Sequence, residues 1–102
     1  MSYRIVFTPR SLSDLQDIRD YIAKRSPLNA IRYLERLLDE LDTLETLPNG
    51  CPLAIENDLV PFELRQIIVQ PYRIMYRVKA KDVQILHIRH AARNPAKPDD
   101  LA

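Results

Sequence analysis

Two cap-and-proline pairs, Thr8-Pro9 and Ser26-Pro27, constrain this chain more than any other feature. In each, a side-chain oxygen able to cap free N–H groups precedes a proline, whose missing N–H has no partner in the first helical turn anyway. The residue before a proline also disfavours helical dihedrals, so Ser26 must end one helix as it starts the next. The spacing predicts a helix over 9–25 and a second from 27, joined so tightly that they form an antiparallel hairpin. Leu12, Leu15, Ile18 and Ile22 give the first an apolar stripe, and Asp14 lies near its positive dipole end. Ala30, Ile31, Leu34, Leu37, Leu38, Leu41, Leu44 and Leu47 give the second a wide apolar face, too short and too broad for a coiled-coil seam and suited to a core. Arg32, Arg36, Asp39 and Glu40 are spaced for ion pairs on its opposite, solvated face.

Strand signals flank this hairpin. Tyr3 to Phe7 reads as a first strand, and Glu63 to Val69, Tyr72 to Lys79 and Val83 to His90 read as three more with short antiparallel links. In the middle run Tyr72, Ile74, Tyr76 and Val78 share one face, expected to be core, and Arg73, Met75, Arg77 and Lys79 share the other, expected to be basic. The last run is apolar on both faces, Val83 and Ile85 on one and Leu86 and Ile88 on the other, which predicts an interior strand. Pro48-Asn49-Gly50 ends the second helix, with Gly50, the only glycine, placed where a left-handed residue is usual. Residues 48–62 form a proline-rich connector, and 94–102 are expected to be a loosely ordered tail. The order β-α-α-β-β-β predicts an α+β fold, a mostly antiparallel four-stranded sheet with a helical hairpin on one face, in a single domain over 1–102.

Composition narrows the function. The 102 residues are 46% hydrophobic and 28% charged, enough for one core and unlike a disordered chain. No run approaches the ~20 apolar residues of a membrane span, and residues 1–10 lack a signal's apolar stretch, which predicts a cytoplasmic protein without membrane contact. A lone Cys51 closes no internal disulfide and fits a small buried hydrophobe. A single glycine builds no phosphate loop, His87 and His90 fall on opposite faces of a strand, and the acids sit at solvent-pair spacing, so no cofactor, metal or carboxylate dyad is expected. Charge is split: residues 62–102 carry eight Lys/Arg against four Asp/Glu, whereas residues 1–61 carry an acidic excess. Arg65, Arg73, Arg77, Arg89 and Arg93, with His90 among them, are the candidates for a functional basic face. Such arginines could hold phosphate or carboxylate and stabilise a metal-free phosphoryl transition state, with a histidine moving the proton. The plainer alternative is that they keep the sheet soluble and pair with a partner's carboxylates.

Tyr3 to Arg10, Leu64-Arg65, the block Pro71 to Val78 and Ile85 to Arg93 together resemble toxins of the RelE/ParE superfamily from bacterial type II toxin–antitoxin systems, over residues 3–93. The resemblance implies the same β-α-α-β-β-β order and a cognate antitoxin, in a hetero-oligomer or beside a toxin homodimer. RelE-like members cut mRNA on the ribosome with basic residues of the sheet. Arg73 and Arg93 match that pattern, and His90 could stand in for a C-terminal acid as in YoeB-like relatives. Arg65 alone replaces a lysine pair, however, and no tyrosine follows Arg93. ParE-like members lack that set and poison DNA gyrase without cleaving DNA themselves. The resemblance is nearest to the ParE branch, which implies gyrase inhibition and plasmid stabilisation with no catalytic residues. The alternatives are a ribosome-dependent mRNA endonuclease using Arg73, His90 and Arg93, and a non-toxic antitoxin-binding module.

Overall fold

A computed structural model describes residues 2–101. Strand β1 (Arg4–Phe7) leads into helix α1 (Pro9–Ala23) and helix α2 (Pro27–Asp42), followed by strands β2 (Arg65–Val69), β3 (Tyr72–Lys79) and β4 (Asp82–His90). Both caps form: Thr8 accepts from the Ser11 N–H and Ser26 from the Asn29 N–H. The Thr8 hydroxyl also donates to the Ile85 carbonyl at 2.9 Å, fixing the start of α1 against the sheet. The strand order is β1-β4-β3-β2, with β2–β3 and β3–β4 antiparallel and β1 parallel to β4. The fold is therefore α+β on a mixed sheet, and β4 is interior, as its two apolar faces require.

The hairpin buries Ile18, Tyr33, Leu37, Leu41 and Leu44 against Val69, Tyr72, Ile74, Tyr76, Val83, Ile85 and Ile88. Tyr33, unremarked in the sequence, reaches across this core to donate its hydroxyl to the Val69 carbonyl at 2.6 Å. The expected apolar face of α2 is narrower: Ile31, Leu38 and Leu47 are exposed. Regular helix stops at Asp42 and one 3-10 turn, Thr43–Glu45, completes it, so Leu47 lies beyond the packed turns. Of the charges expected to pair along α2, none forms an ion pair among the described residues; Arg36 lies over the Tyr33 ring and donates to the Gln70 carbonyl.

Four further features depart from expectation. Gly50 has no positive φ; among the described residues the one with a left-handed backbone is Ala80, at φ 55°, in the β3–β4 turn. Register slips between Met75 and Tyr76, where Ile85 and His87 are the partners and Leu86 has none. This bulge puts Leu86 with His87 on the side of Met75, so Ile88 joins Val83 and Ile85 in the first core. The face of β3 expected to be basic and open is covered: Met75, Leu86 and Leu64 form a second core with Ala54 of the connector and Ala96 and Leu101 of the tail. The expected loose tail thus ends in a packed 3-10 turn, Pro98–Leu101, with Leu101 buried. Among the described residues no helix is long and apolar enough to cross a membrane.

Candidate cationic site

Strand parity divides the six basic candidates. Arg65 lies opposite Tyr76 and His90 opposite Tyr72, both on the hairpin side of the sheet. Arg73, Arg77 and Arg89 point to the second core, and Arg93 follows the end of β4. No single open face gathers them.

Arg73 is the most enclosed. Its Nη1 donates to Glu56 Oε1 at 3.0 Å and to Gln66 Oε1 at 2.8 Å, and its Nη2 to Glu56 Oε2 at 2.6 Å. The two side chains are 8% and 0% exposed. The Ala96 N–H completes the cradle, donating to Glu56 Oε2 at 2.8 Å. Burial alone would raise the Glu56 pKa, but the Arg73 guanidinium and the Ala96 amide outweigh it and hold the carboxyl below its ordinary value. Arg89, the cross-strand partner of Arg73, donates through Nε to the Asn94 carbonyl at 2.7 Å and lies 3.7 Å from the Asp100 carboxylate. Arg77 lies over the Phe62 ring at 4.4 Å, and Arg65 donates to the Cys51 carbonyl and to Glu63.

Beside this face sits a pair that sequence reasoning missed. His87 Nδ1 is 2.6 Å from Asp14 Oδ2, which also accepts from the Ile88 N–H at 3.0 Å. Arg89 Nη1 approaches His87 Nε2 at 3.5 Å, on the side of the ring away from Asp14. Burial opposes ionisation of Asp14, but the bonds from His87 and Ile88 prevail and its pKa is lowered. Arg10 bridges Asp14 and Asp100, tying α1 to the tail.

His90 and Arg93 keep their heads available. A groove of about 780 Å³ runs between α1 and the end of β4, lined by Tyr21, Ile22, Tyr72, His90 and Arg93 among others. The His90 ring meets Tyr72 edge-on at 5.3 Å, and its Nδ1 accepts from the Ala92 N–H, which leaves Nε2 as the proton-bearing nitrogen. The residues assigned to phosphoryl chemistry are therefore not assembled. Arg73 is occupied by Glu56 on one side of the sheet, and His90 is on the other, in the groove that Arg93 also lines. Neither Glu56 nor Asp14 carries a local signal in the sequence. Each looks like an ordinary solvated acid until the fold supplies its partner.

Residues 5–95 match the family profile described as the ParE toxin of the type II toxin–antitoxin system parDE. The chain is 43% identical to "Toxin RelE2" of Caulobacter vibrioides over 91 residues, 88% of this chain and 97% of that one. Its fold is similar to that solved in the chromosomal ParDE toxin–antitoxin system of P. aeruginosa, with TM-score 0.70 and 24% identity over 87% of this chain and 96% of that one. It is also similar to that of the archaeal RelE–RelB complex of Pyrococcus horikoshii, with TM-score 0.61 and 19% identity over 92% and 100%. On the profile match and the 43% identity over nearly the whole of both chains, this chain belongs to the RelE/ParE superfamily of toxins of type II toxin–antitoxin systems.

Proposed function

We propose that this toxin acts in the ParE manner, binding DNA gyrase in the cytoplasm and blocking replication without cutting nucleic acid itself, and that a cognate antitoxin restrains it. The observation that carries the reading is the burial of Arg73 against Glu56. Metal-free RNA cleavage needs a guanidinium within reach of the scissile phosphate, and both Nη atoms of Arg73 are bonded to a carboxylate under a covering segment. His90, opposite Tyr72, is on the other side of the sheet from Arg73. The profile match to ParE toxins points the same way. Leu28, Ile31 and Leu38 are exposed along α2 and suit an amphipathic antitoxin segment that folds on binding.

The test pairs two reactions on one preparation: plasmid supercoiling and cleavage by bacterial gyrase with ATP, and mRNA cleavage on programmed ribosomes. Linear or unsupercoiled plasmid with intact mRNA is the expected result. Cut mRNA with normal supercoiling would overturn the reading and return Arg73, His90 and Arg93 to catalytic roles. No effect in either reaction would leave a non-toxic antitoxin-binding module.

A further inference from the structure

The buried His87 belongs to a circuit of charges that joins α1, β4 and the tail. Burial opposes ionisation of Asp14, but the bonds from His87 and the Ile88 N–H hold it ionised, and a carboxylate only accepts. His87 Nδ1 therefore carries a hydrogen in either charge state of the imidazole, and the charge is decided at Nε2, which lies 3.5 Å from Arg89 Nη1. That same Nη1 is 3.7 Å from Asp100 Oδ2 of the tail, and Arg89 Nε donates to the Asn94 carbonyl at 2.7 Å. Arg10 closes the circuit, paired with both Asp14 and Asp100. From β3 the residue opposite His87 is Met75, flanked on that side by Arg73, which Glu56 of the connector neutralises, and by Arg77, which lies over Phe62. His90, further along β4, faces the hairpin side. With a neutral imidazole the circuit balances, Asp14 and Asp100 against Arg10 and Arg89.

We propose that His87 is a proton-operated latch on the tail: with Nε2 bare the 94–101 segment stays down on the sheet, and proton uptake at Nε2 releases it. An arginine head is always charged and offers only donors, so a protonated Nε2 faces a second N–H with no acceptor between them. The circuit then also holds one cation too many, and the His87 side chain is 3% exposed, so water does little to offset the excess. The backbones of α1 and β4 fix Arg10, Asp14, His87 and Arg89, whereas Asp100 sits on a short 3-10 turn held by the buried side chains of Ala96 and Leu101. The tail is thus the part that yields, and the Arg89 guanidinium swings out with it. His87 and Asp14 both line the groove beside α1, which gives the proton its path. Mild acid suffices, because Asp14, Glu56 and Asp100 all titrate below their ordinary range and keep their charge where an imidazole changes its own, near pH ~6.5. The hold on the tail is therefore complete above that range and lost as pH falls through it. This inference does not depend on which target the toxin acts on, and its test contains neither gyrase nor ribosomes.

The measurement is amide exchange on the wild-type protein by NMR between about pH 8 and pH 5, corrected for the intrinsic rate of each amide, with the imidazole signals reporting their own charge. The Ala96 N–H, bonded to Glu56, is expected to lose protection about fivefold or more, with the same midpoint as the His87 signal, while the Ile74 N–H in the sheet stays protected. His90→Gln is expected to leave that step in place, which separates the two histidines. His87→Asn, which keeps an N–H for Asp14 and takes up no proton, is expected to remove it. Protection that is flat across the range, or that rises in acid, would overturn the proposal, as would a His87 signal that never changes charge or a step that persists in His87→Asn. Should His87→Asn fail to fold, the wild-type midpoints and the His90→Gln control decide: a step that tracks His87 supports the latch, and one that tracks His90 overturns it.

Discussion

Glu56 is fully buried, ionised and bonded through both carboxylate oxygens, so its contribution depends on its partner being present. Glu56→Gln removes the charge and leaves the Arg73 guanidinium buried with no counter-ion, a loss expected to cost about 3–5 kcal/mol in urea unfolding. Replacing the pair together, Glu56→Leu with Arg73→Met, is expected to cost far less, because no uncompensated charge stays inside. Equal costs for the single and double changes would mean that the pair's packing matters and its charge does not. Acid tests the same carboxylates. Glu56, Asp14 and Asp100 all have pKa values lowered in the folded state, so their stabilisation is present above the unfolded-state values and is lost as pH falls through the folded ones. The melting temperature should be level near neutrality and fall below about pH 4, where ordinary carboxylates take up protons. At the alkaline end burial pushes the Tyr33 phenol from 10.0 up to about 12. Its stabilisation is therefore present below pH 10.0 and lost as pH rises toward about 12, and a melting temperature that is level across that window would contradict the buried bond to Val69.

The helical hairpin and the order of elements along the chain are written in local chemistry, and the interior position of β4 follows from its two apolar faces. Thr8 and Ser26 cap where their side chains predict, and Ser26→Ala is expected to cost about 0.5–2 kcal/mol by chemical denaturation, since the Asn29 N–H loses its acceptor. Leu37, fully buried among the hairpin and sheet, shows the larger scale of packing: Leu37→Ala should cost about 2–5 kcal/mol. What the sequence hides is any feature made by elements that are distant along the chain. The slip at Leu86 is invisible in the alternation of the run, and it overturns the facing of Leu86 and Ile88. The basic stripe of β3 is equally deceptive. Arg73 and Arg77 are spaced like solvent-facing residues, but the aperiodic connector and tail supply Glu56, Phe62, Ala96 and Leu101 to cover them. His87 and Asp14 are far apart in the chain, and only the packing of α1 on β4 makes them a pair.

At the scale of the molecule, two cores share one sheet: a large one beneath the hairpin and a smaller one closed by segments without regular structure. Leu101 closes the smaller core, so Leu101→Asp should loosen the tail and lower the melting temperature while leaving the hairpin side folded, which amide exchange at Ala96 and Leu37 would separate. The parallel pairing of β1 with β4 has a consequence for synthesis. Strand β1 is made before the helical hairpin, yet its neighbour in the sheet among the described residues is β4, made after β2 and β3. Until β4 emerges, α1 and α2 have no β4 surface on which to bury their apolar sides, and closing so long a stretch of chain is slow. A nascent chain therefore carries no finished sheet, and the fold closes only once β4 has been released.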